Sequence, residues 1–162
     1  SSYFVGTDLE SRENMLVASL LAGAAFSQSR LGNVHAISHT FGGVFNIPHG
    51  IANAALLPFV MKFNLPACAE QYREIAIALG RNVSGLSSLE AANAAIETVI
   101  EMNRAMNIPL NIKELGVSLD VLPKLVEDSM RSGNVYVNPR LTKSSDIQMI
   151  IERAYKGDLS SF

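Results

Sequence analysis

The segment SSLEAANAAIETVIEMNRAMNIP, residues 87–109, decides the fold class because it has the features of one complete helix with both ends marked. Ser87 and Glu90 have the spacing of a capping box, in which each side chain bonds the backbone N–H of the other residue. Apolar residues then recur every three or four positions up to about Met106, and Pro109 stops the pattern. The segment therefore predicts an amphipathic α-helix.

The same periodicity predicts further helices on both sides of this segment. They cover about Asp8–Gln28, Asn33–Ser38, Ile51–Phe63, Ala67–Leu79, Asp120–Met130 and Ser145–Tyr155. No segment alternates apolar and polar residues over the length of a strand. The predicted fold class is therefore all-α, a helical bundle, and residues 1–162 are expected to form a single domain.

A few residues indicate where these helices start, bend or stop. Thr7 and Glu10 repeat the capping-box spacing and predict the start of the first helix. Gly42, Gly43 and Pro48 predict a break between the short helix Asn33–Ser38 and a helix that starts near His49. Pro58 predicts a kink because proline lacks an N–H, and Gly80 predicts a helix end in the left-handed conformation.

The composition excludes several classes of partner. Charged residues make up 17% and the net charge is -2, so no basic surface favours nucleic acid. The apolar stretch Met15–Phe26 is shorter than the roughly 20 residues that cross a bilayer, so we expect a core helix and no membrane contact. Cys68 is the only cysteine, and the expected location is the cytoplasm. The mean hydropathy of +0.20 indicates that some apolar surface faces another part of a larger protein.

All three histidines fall within HAISHTFGGVFNIPHG, residues 35–50. His35 and His39 are four apart and share a helix face, and the glycine pair between them and His49 allows that residue to return to the same point. Three imidazoles near one point suit Zn²⁺, Fe²⁺, Co²⁺ or Ni²⁺. The alternative is that these histidines are simply buried and hydrogen-bonded, and spacing alone leaves both readings open. The HxxxH pair lacks the glutamate of a metalloprotease, so we exclude that class.

The longer run AGAAFSQSRLGNVHAISHTFGGVFNIPHGIANAALLPFVMKFN, residues 22–64, closely resembles the signature of the iron-containing, or group III, alcohol dehydrogenases. A weaker likeness continues at the NPR triplet, Asn138–Arg140, and at Asp146. The resemblance implies an all-helical C-terminal domain with one divalent metal, and an N-terminal domain that binds NAD or NADP. An alcohol and an aldehyde or ketone are interconverted between the two. This chain resembles only the helical part, so we expect a fragment that is inactive in isolation.

The resemblance also implies roles for single residues. His35 and His49 match two of the metal ligands, and the other two, an aspartate and a histidine of a DxxxH motif, have no counterpart in this sequence. His39 matches a residue in the pocket wall beside nicotinamide and substrate, where it orients groups or relays protons, although spacing alone would pair it with His35. Phe26 matches an aromatic residue of the substrate pocket, although a phenylalanine on an apolar helix is core by default. The expected metal is Fe²⁺, with Zn²⁺ as the alternative.

Other functions stay open beside this one. The chain is alternatively a free-standing helical module that binds metal or a partner without catalysis, or a zinc enzyme domain similar to glycerol dehydrogenase or dehydroquinate synthase. The run PHGIANAALLP, residues 48–58, fits the iron group better. No GxGxxG motif occurs, so we expect the nucleotide to be bound outside this sequence. Alongside the resemblance, the expected partners are a small alcohol or aldehyde, the missing nucleotide-binding domain, and further copies in a homo-oligomer.

Overall fold

The computed structural model describes residues 2–160 and 162, and the regular elements in that part of the chain are all helical. The α-helices are α1 Leu9–Ser29, α2 Asn33–Phe45, α3 His49–Ala78, α4 Ser88–Ala105, α5 Leu122–Met130 and α6 Ser144–Lys156. Short 3₁₀ helices lie at Ile112–Leu115, Leu119–Val121 and Val135–Val137. The prediction of an all-α fold is confirmed.

The chain divides into two compact units, one ending at Leu31 and the other beginning at Gly32. The first unit carries α1, and none of the residues of α1 is buried. Leu16 and Leu20 are each 73% exposed, so the prediction of a core helix over Met15–Phe26 is wrong for this chain. The physical reason is that the apolar residues of α1 lie on all its sides, which would require partners that its own short unit does not contain. Whether residues 1–162 form one domain stays a prediction.

The start of α1 lies one residue away from the predicted cap. Asp8, rather than Thr7, accepts the backbone N–H of Ser11 at 3.1 Å and the hydroxyl of Ser11 at 2.6 Å. A carboxylate is a stronger acceptor than a hydroxyl at a helix N-terminus, where the dipole also favours negative charge. These hydrogen bonds hold the pKa of Asp8 below its ordinary value.

The core of the second unit surrounds α3, which packs against α2, α4 and α6. The largest fully buried side chains of this core are Ile37, Phe41, Leu56, Phe59, Phe63, Ile112, Leu125, Ile147, Ile150 and Ile151. A second cluster lies between α3 and α4, where Ala91, Ala92 and Ala95 allow close approach of the two helices. By length and composition α3 could cross a membrane, but most of its apolar stretch is buried inside the protein, as in a core helix.

Within α3, Cys68 has non-helical backbone angles (φ -131°, ψ 19°) two residues after Pro66, and two helical segments meet at a kink there. The bend predicted at Pro58 stays a prediction. Pro58 lacks the N–H that would bond the carbonyl of Ala54 one turn earlier. The side chain of Asn103, which is buried on α4, donates its Nδ2–H to that carbonyl at 2.7 Å. The amide of Asn103 therefore replaces the lost backbone bond, and the helix continues through Pro58.

Other predicted boundaries agree with the structure. The backbone N–H of Ser87 donates to Glu90 Oε2 at 2.9 Å, and the N–H of Glu90 donates to Ser87 Oγ at 3.3 Å, which completes the predicted capping box. Gly80 has φ of +82° just after α3, as predicted for a left-handed stop. The two predicted C-terminal helices are α5 and α6, each within two residues of its predicted start.

Candidate metal centre

The three histidines are brought together by the connection between α2 and α3. His35 and His39 lie on α2, and His49 is the first residue of α3. The predicted break between the two helices is present, with Pro48 directly before α3, but it lies after Phe45, because α2 continues through glycines 42–43. The chain turns instead at Asn46, which has a left-handed φ of 55° and donates its N–H to the carbonyl of Gly42 at 3.1 Å.

Helix α2 tolerates its glycines because burial outweighs their cost. Two glycines inside a helix cost on the order of 1 kcal/mol each relative to alanine. In contrast, Ile37 and Phe41 of α2 are fully buried, and burial of each such side chain stabilises the folded protein by roughly 1.5–3 kcal/mol. Ile47, in the turn itself, is also buried in the same core. The core contacts therefore set the path that returns His49 to α2.

The three imidazole rings form a compact cluster. The ring centroid of His35 lies 5.9 Å from that of His39 and 5.2 Å from that of His49, and the centroids of His39 and His49 are 5.2 Å apart. The rings of His39 and His49 are stacked with an angle of 29° between their planes. Stacked rings present their faces to each other, whereas two ligands of one ion present nitrogen atoms to a common point. This arrangement favours His35 and His49 as the pair that shares a ligand.

Asn53, one turn after His49 on α3, is the polar side chain at the centre of this pair. Its Nδ2 lies 3.2 Å from His35 Nε2 and 2.9 Å from His49 Nε2. Its Oδ1 is buried and has no hydrogen-bond partner. Asn53 was not among the site residues predicted from the sequence. Its position four residues after His49, on the same helix face, could have indicated that it lies close to the histidines.

The chemistry of these donors fits part of a metal site. Imidazole nitrogens are suitable ligands for zinc and for iron, and sites of this kind use four protein ligands or three with an open position. Within residues 2–160 and 162, no group of three or more His, Cys, Asp or Glu side chains is arranged to hold a metal ion. The three histidines are close together, and His35 Nε2 and His49 Nε2 both lie within hydrogen-bond distance of Asn53 Nδ2.

The half-buried ring of His35 is held as the neutral base. Burial lowers the pKa of His35 below its ordinary value of 6.5, and repulsion by His49 and His39 lowers it further. A metal-binding histidine must be neutral at the coordinating nitrogen. The environment of His35 therefore favours the protonation state in which it can bind a metal near neutral pH.

His39 faces a different region from the other two rings. It is exposed and borders an open groove of about 360 Å³ between α2 and α5, which neither His35 nor His49 lines. On the α5 side of this groove, Lys124 Nζ donates to Asp128 Oδ2 at 2.6 Å. This hydrogen bond holds the pKa of Asp128 below its ordinary value. His39 thus lies between the pair of His35 and His49 and a groove that contains charged groups.

One match identifies the family of this chain. Residues 1–155 match the family described as Fe-containing alcohol dehydrogenase family, C-terminal. The chain belongs to this family. It is similar to 1,3-propanediol dehydrogenase from Klebsiella pneumoniae (42% identity over 93% of this chain) and to NAD-dependent methanol dehydrogenase from Bacillus methanolicus (41% over 92%). In both comparisons it covers 39% of the other protein, so it spans about two fifths of the relatives it matches.

Solved structures of the Fe-containing alcohol dehydrogenase family show the same fold. A crystal structure of 1,3-propanediol oxidoreductase matches with a TM-score of 0.92 and 40% identity, covering 94% of this chain and 40% of the other. An alcohol dehydrogenase from Oenococcus oeni matches with a TM-score of 0.90 and 37% identity, covering 93% and 39%. The resemblance from which the family was predicted is therefore confirmed.

The NPR triplet of this family member has a structural role that the sequence did not reveal. Asn138 Oδ1 accepts the backbone N–H of Asn33 at 3.2 Å and the Nδ2–H of Asn64 at 3.1 Å. Arg140 Nη1 donates to the carbonyl of Phe63 at 2.7 Å, and its guanidinium lies 4.2 Å from the centroid of the Phe63 ring. The triplet thus ties the start of α2 to α3, and so positions the two helices that carry the histidines.

Phe26, the predicted pocket residue of this family member, lies near the end of α1 and is 48% exposed. It is therefore not a core residue of its own unit. Its role in a substrate pocket stays a prediction, as do the ligand roles of His35 and His49 and the role of His39.

Proposed function

We propose that this chain is the metal-binding helical part of an iron-dependent, NAD(P)-dependent alcohol dehydrogenase that interconverts an alcohol with an aldehyde or ketone. The observation that carries the proposal is the approach of His35 Nε2 and His49 Nε2 to one amide group, in a chain of the Fe-containing family. The names of its relatives refer to propanediol, methanol and lactaldehyde. We therefore propose a small alcohol or aldehyde as the substrate.

In this proposal Fe²⁺, or Zn²⁺ in its place, is held by His35 Nε2 and His49 Nε2 together with ligands from outside these 162 residues. A divalent ion held there would supply Lewis-acid chemistry at the substrate oxygen. Two neutral nitrogen ligands make an incomplete site, so the chain alone binds the metal weakly and loses it on dialysis. One tightly held ion per chain in an elemental analysis would contradict this, and would point to all three histidines as ligands.

His39 is the residue that we assign to proton transfer or substrate orientation. Its ring stacks on His49 at one side and borders the groove of α2 and α5 at the other, so it connects the metal pair with solvent. An imidazole ring has one nitrogen that can donate and one that can accept a proton, which is the requirement for a relay. Phe26 is assigned to the apolar wall of the substrate pocket.

The nucleotide is assigned to a part of the protein outside this chain. No glycine-rich phosphate motif occurs in the sequence, and the matched relatives are about two and a half times as long. The exposed apolar residues of α1 are consistent with a partner surface of this kind. We further propose a cytoplasmic homo-oligomer, in line with a single cysteine and a substantial apolar surface.

The test is an absorbance assay for NADH or NADPH, run anaerobically with Fe²⁺ and with propanediol, methanol and lactaldehyde as trial substrates. We expect no turnover by the 162-residue chain, and turnover by a longer polypeptide that also contains a nucleotide-binding domain. Positioning of the nicotinamide against the substrate is worth on the order of 7–11 kcal/mol of barrier, which the short chain cannot supply. Turnover by the short chain that disappears in His49→Ala would show that the catalytic unit is smaller than proposed.

A further inference from the structure

We propose that Asn53 is a positioning residue for His35 and His49. Its side chain holds both rings in the tautomer whose Nε2 lone pairs face one common point, and it leaves that point when a metal binds. The inference deepens the proposed function, because it concerns the same pair of rings. It rests on the two contacts of Asn53 Nδ2, at 3.2 Å and 2.9 Å, and on the buried, unpartnered Oδ1 of the same amide.

The direction of these two hydrogen bonds follows from which atoms of an amide group donate and which accept. Asn53 Nδ2 carries two N–H donors and accepts nothing, so both Nε2 atoms must be acceptors. A neutral imidazole that accepts at Nε2 carries its proton on Nδ1. Both rings are therefore in the Nδ1–H tautomer, which is the form that coordinates a metal through Nε2.

The opposite amide orientation is less favourable. With Oδ1 turned toward the rings, the two Nε2 atoms would have to donate, and the NH₂ group would occupy the buried position that Oδ1 has now. The two N–H donors of the buried NH₂ group would then lack partners, whereas the observed orientation leaves only one buried acceptor, Oδ1, unpaired. Each unsatisfied buried group costs roughly 1–3 kcal/mol, so the orientation with Nδ2 between the rings is preferred.

The same geometry means that the amide and a cation compete for one place. Each Nε2 has one lone pair in the plane of its ring, and that lone pair serves either the N–H of Asn53 or an ion. An ion that binds both Nε2 atoms therefore displaces both hydrogen bonds of Asn53. The side chain keeps the pair oriented in the metal-free protein and is released in the metal-bound one.

The test is long-range ¹H–¹⁵N correlation spectroscopy of the histidine rings in the metal-free 162-residue chain, at about pH 8.5, where histidine with its ordinary pKa of about 6.5 is neutral. In the wild type, His35 and His49 are expected to show a protonated Nδ1 and a bare Nε2. Asn53→Asp has nearly the same shape but only accepts hydrogen bonds, so the tautomer should invert to Nε2–H. Asn53→Leu has no donor, and a mixture of both tautomers is expected.

The matched control is Asn93→Asp, on α4, because Asn93 bonds Lys62 and the carbonyl of Leu89 and contacts no histidine. It should leave all ring tautomers as in the wild type. Far-UV circular dichroism checks that every variant is folded. Bare Nε2 atoms that persist in both Asn53→Asp and Asn53→Leu would overturn the proposal, as would protonated Nε2 atoms in the wild type.

A second readout uses Zn²⁺ alone, titrated into the wild-type chain to saturation of its spectral changes. The side-chain NH₂ resonances of Asn53 should shift together with the ring nitrogens of His35 and His49, because the amide is displaced. Ring nitrogens that shift while the Asn53 NH₂ resonances stay unchanged would overturn the second half of the proposal. The tautomer experiment needs neither metal nor substrate, so its failure is distinguishable from a failure of the proposed enzymatic function.

Discussion

Helices α1 and α3 have similar apolar character but opposite surroundings. In α3, twelve residues are buried, among them Leu56, Phe59 and Phe63. In α1 no residue is buried, although Leu16 and Leu20 are as apolar as any residue of α3. The difference shows that apolar composition alone does not place a helix in a core. A helix is buried only if other elements of its own unit cover its apolar side, and α3 has α2, α4 and α6 around it.

The strongest test of this comparison makes the same substitution in both helices. Phe59→Ala should lower the free energy of unfolding by about 3–5 kcal/mol, because the ring is fully buried in the core of the second unit. Phe26→Ala in α1 should change it by less than about 1 kcal/mol, because that ring is 48% exposed. Urea denaturation followed by circular dichroism measures both. Equal losses would mean that α1 is as well packed as α3 in solution.

The next test asks why α3 remains helical at Pro58. Asn103→Leu should cost about 1–3 kcal/mol, because it leaves the Ala54 carbonyl without a donor in the protein interior. Adding Pro58→Ala should recover much of this loss, since an alanine at position 58 supplies the missing backbone N–H. A double-mutant cycle in urea gives the coupling. Additive effects of the two substitutions would refute the role assigned to Asn103.

A third test concerns the connection that orients α2, where two glycines provide a matched pair. A Cβ at Gly32 would lie 2.9 Å from Asn138 Oδ1, inside a buried network, so Gly32→Ala should cost about 1–3 kcal/mol. A Cβ at Gly43, inside α2, would meet nothing within 4 Å, so Gly43→Ala should stabilise the protein by about 0.5–1 kcal/mol. Thermal unfolding of both variants measures the difference. A stabilising Gly32→Ala would contradict the close approach to Asn138.

The smallest expected effect is a difference between the first unit, at Asp8, and the second unit, at His35 on α2, in how stability depends on pH. The pKa of His35 is lowered in the folded protein by burial first and by the neighbouring histidines second. The unfolded chain therefore binds the proton first as pH falls, so stability is complete above about pH 6.5 and decreases below it until the lowered folded pKa is reached. The pKa of Asp8 is also lowered, mainly by hydrogen bonds from Ser11, so the cap of α1 is lost only in acid below its ordinary value of 3.8.

His35→Gln provides the check on this pH dependence. The unfolding free energy of this variant, measured in urea between about pH 5 and 8, should vary less with pH than that of the wild type. The helical signal of α1 should stay unchanged over the same range, because the cap of Asp8 titrates at lower pH. An identical pH slope in wild type and variant would show that another group causes the effect.

Local patterns in the sequence were sufficient to predict the helical class and several boundaries. The capping box of Ser87 and Glu90 and the left-handed stop at Gly80 depend only on residues within one turn, so neighbouring residues determine them. The family resemblance, carried by residues 22–64, was also readable without coordinates. The capping box and the helix stop share a physical reason, because each involves interactions between residues that are close in the chain.

The remaining features depended on residues that are distant in sequence. The backbone of α3 stays helical through Pro58, and Asn103, 45 positions later, supplies a hydrogen bond to the carbonyl of Ala54. Glycines 42–43 do not break α2, because the buried residues of α2 hold it against the core. The exposure of α1 likewise depends on which elements are present to cover it. No local pattern contains this information.

The candidate metal site shows the same division. Sequence alone identified His35, His39 and His49 as a cluster, because they lie within fifteen consecutive residues. Only the tertiary structure separated the stacked ring of His39 from the pair that meets at Asn53. The directions of side-chain nitrogens depend on how α2 and α3 cross, and that crossing is decided by the packing of the whole core rather than by the spacing of the histidines.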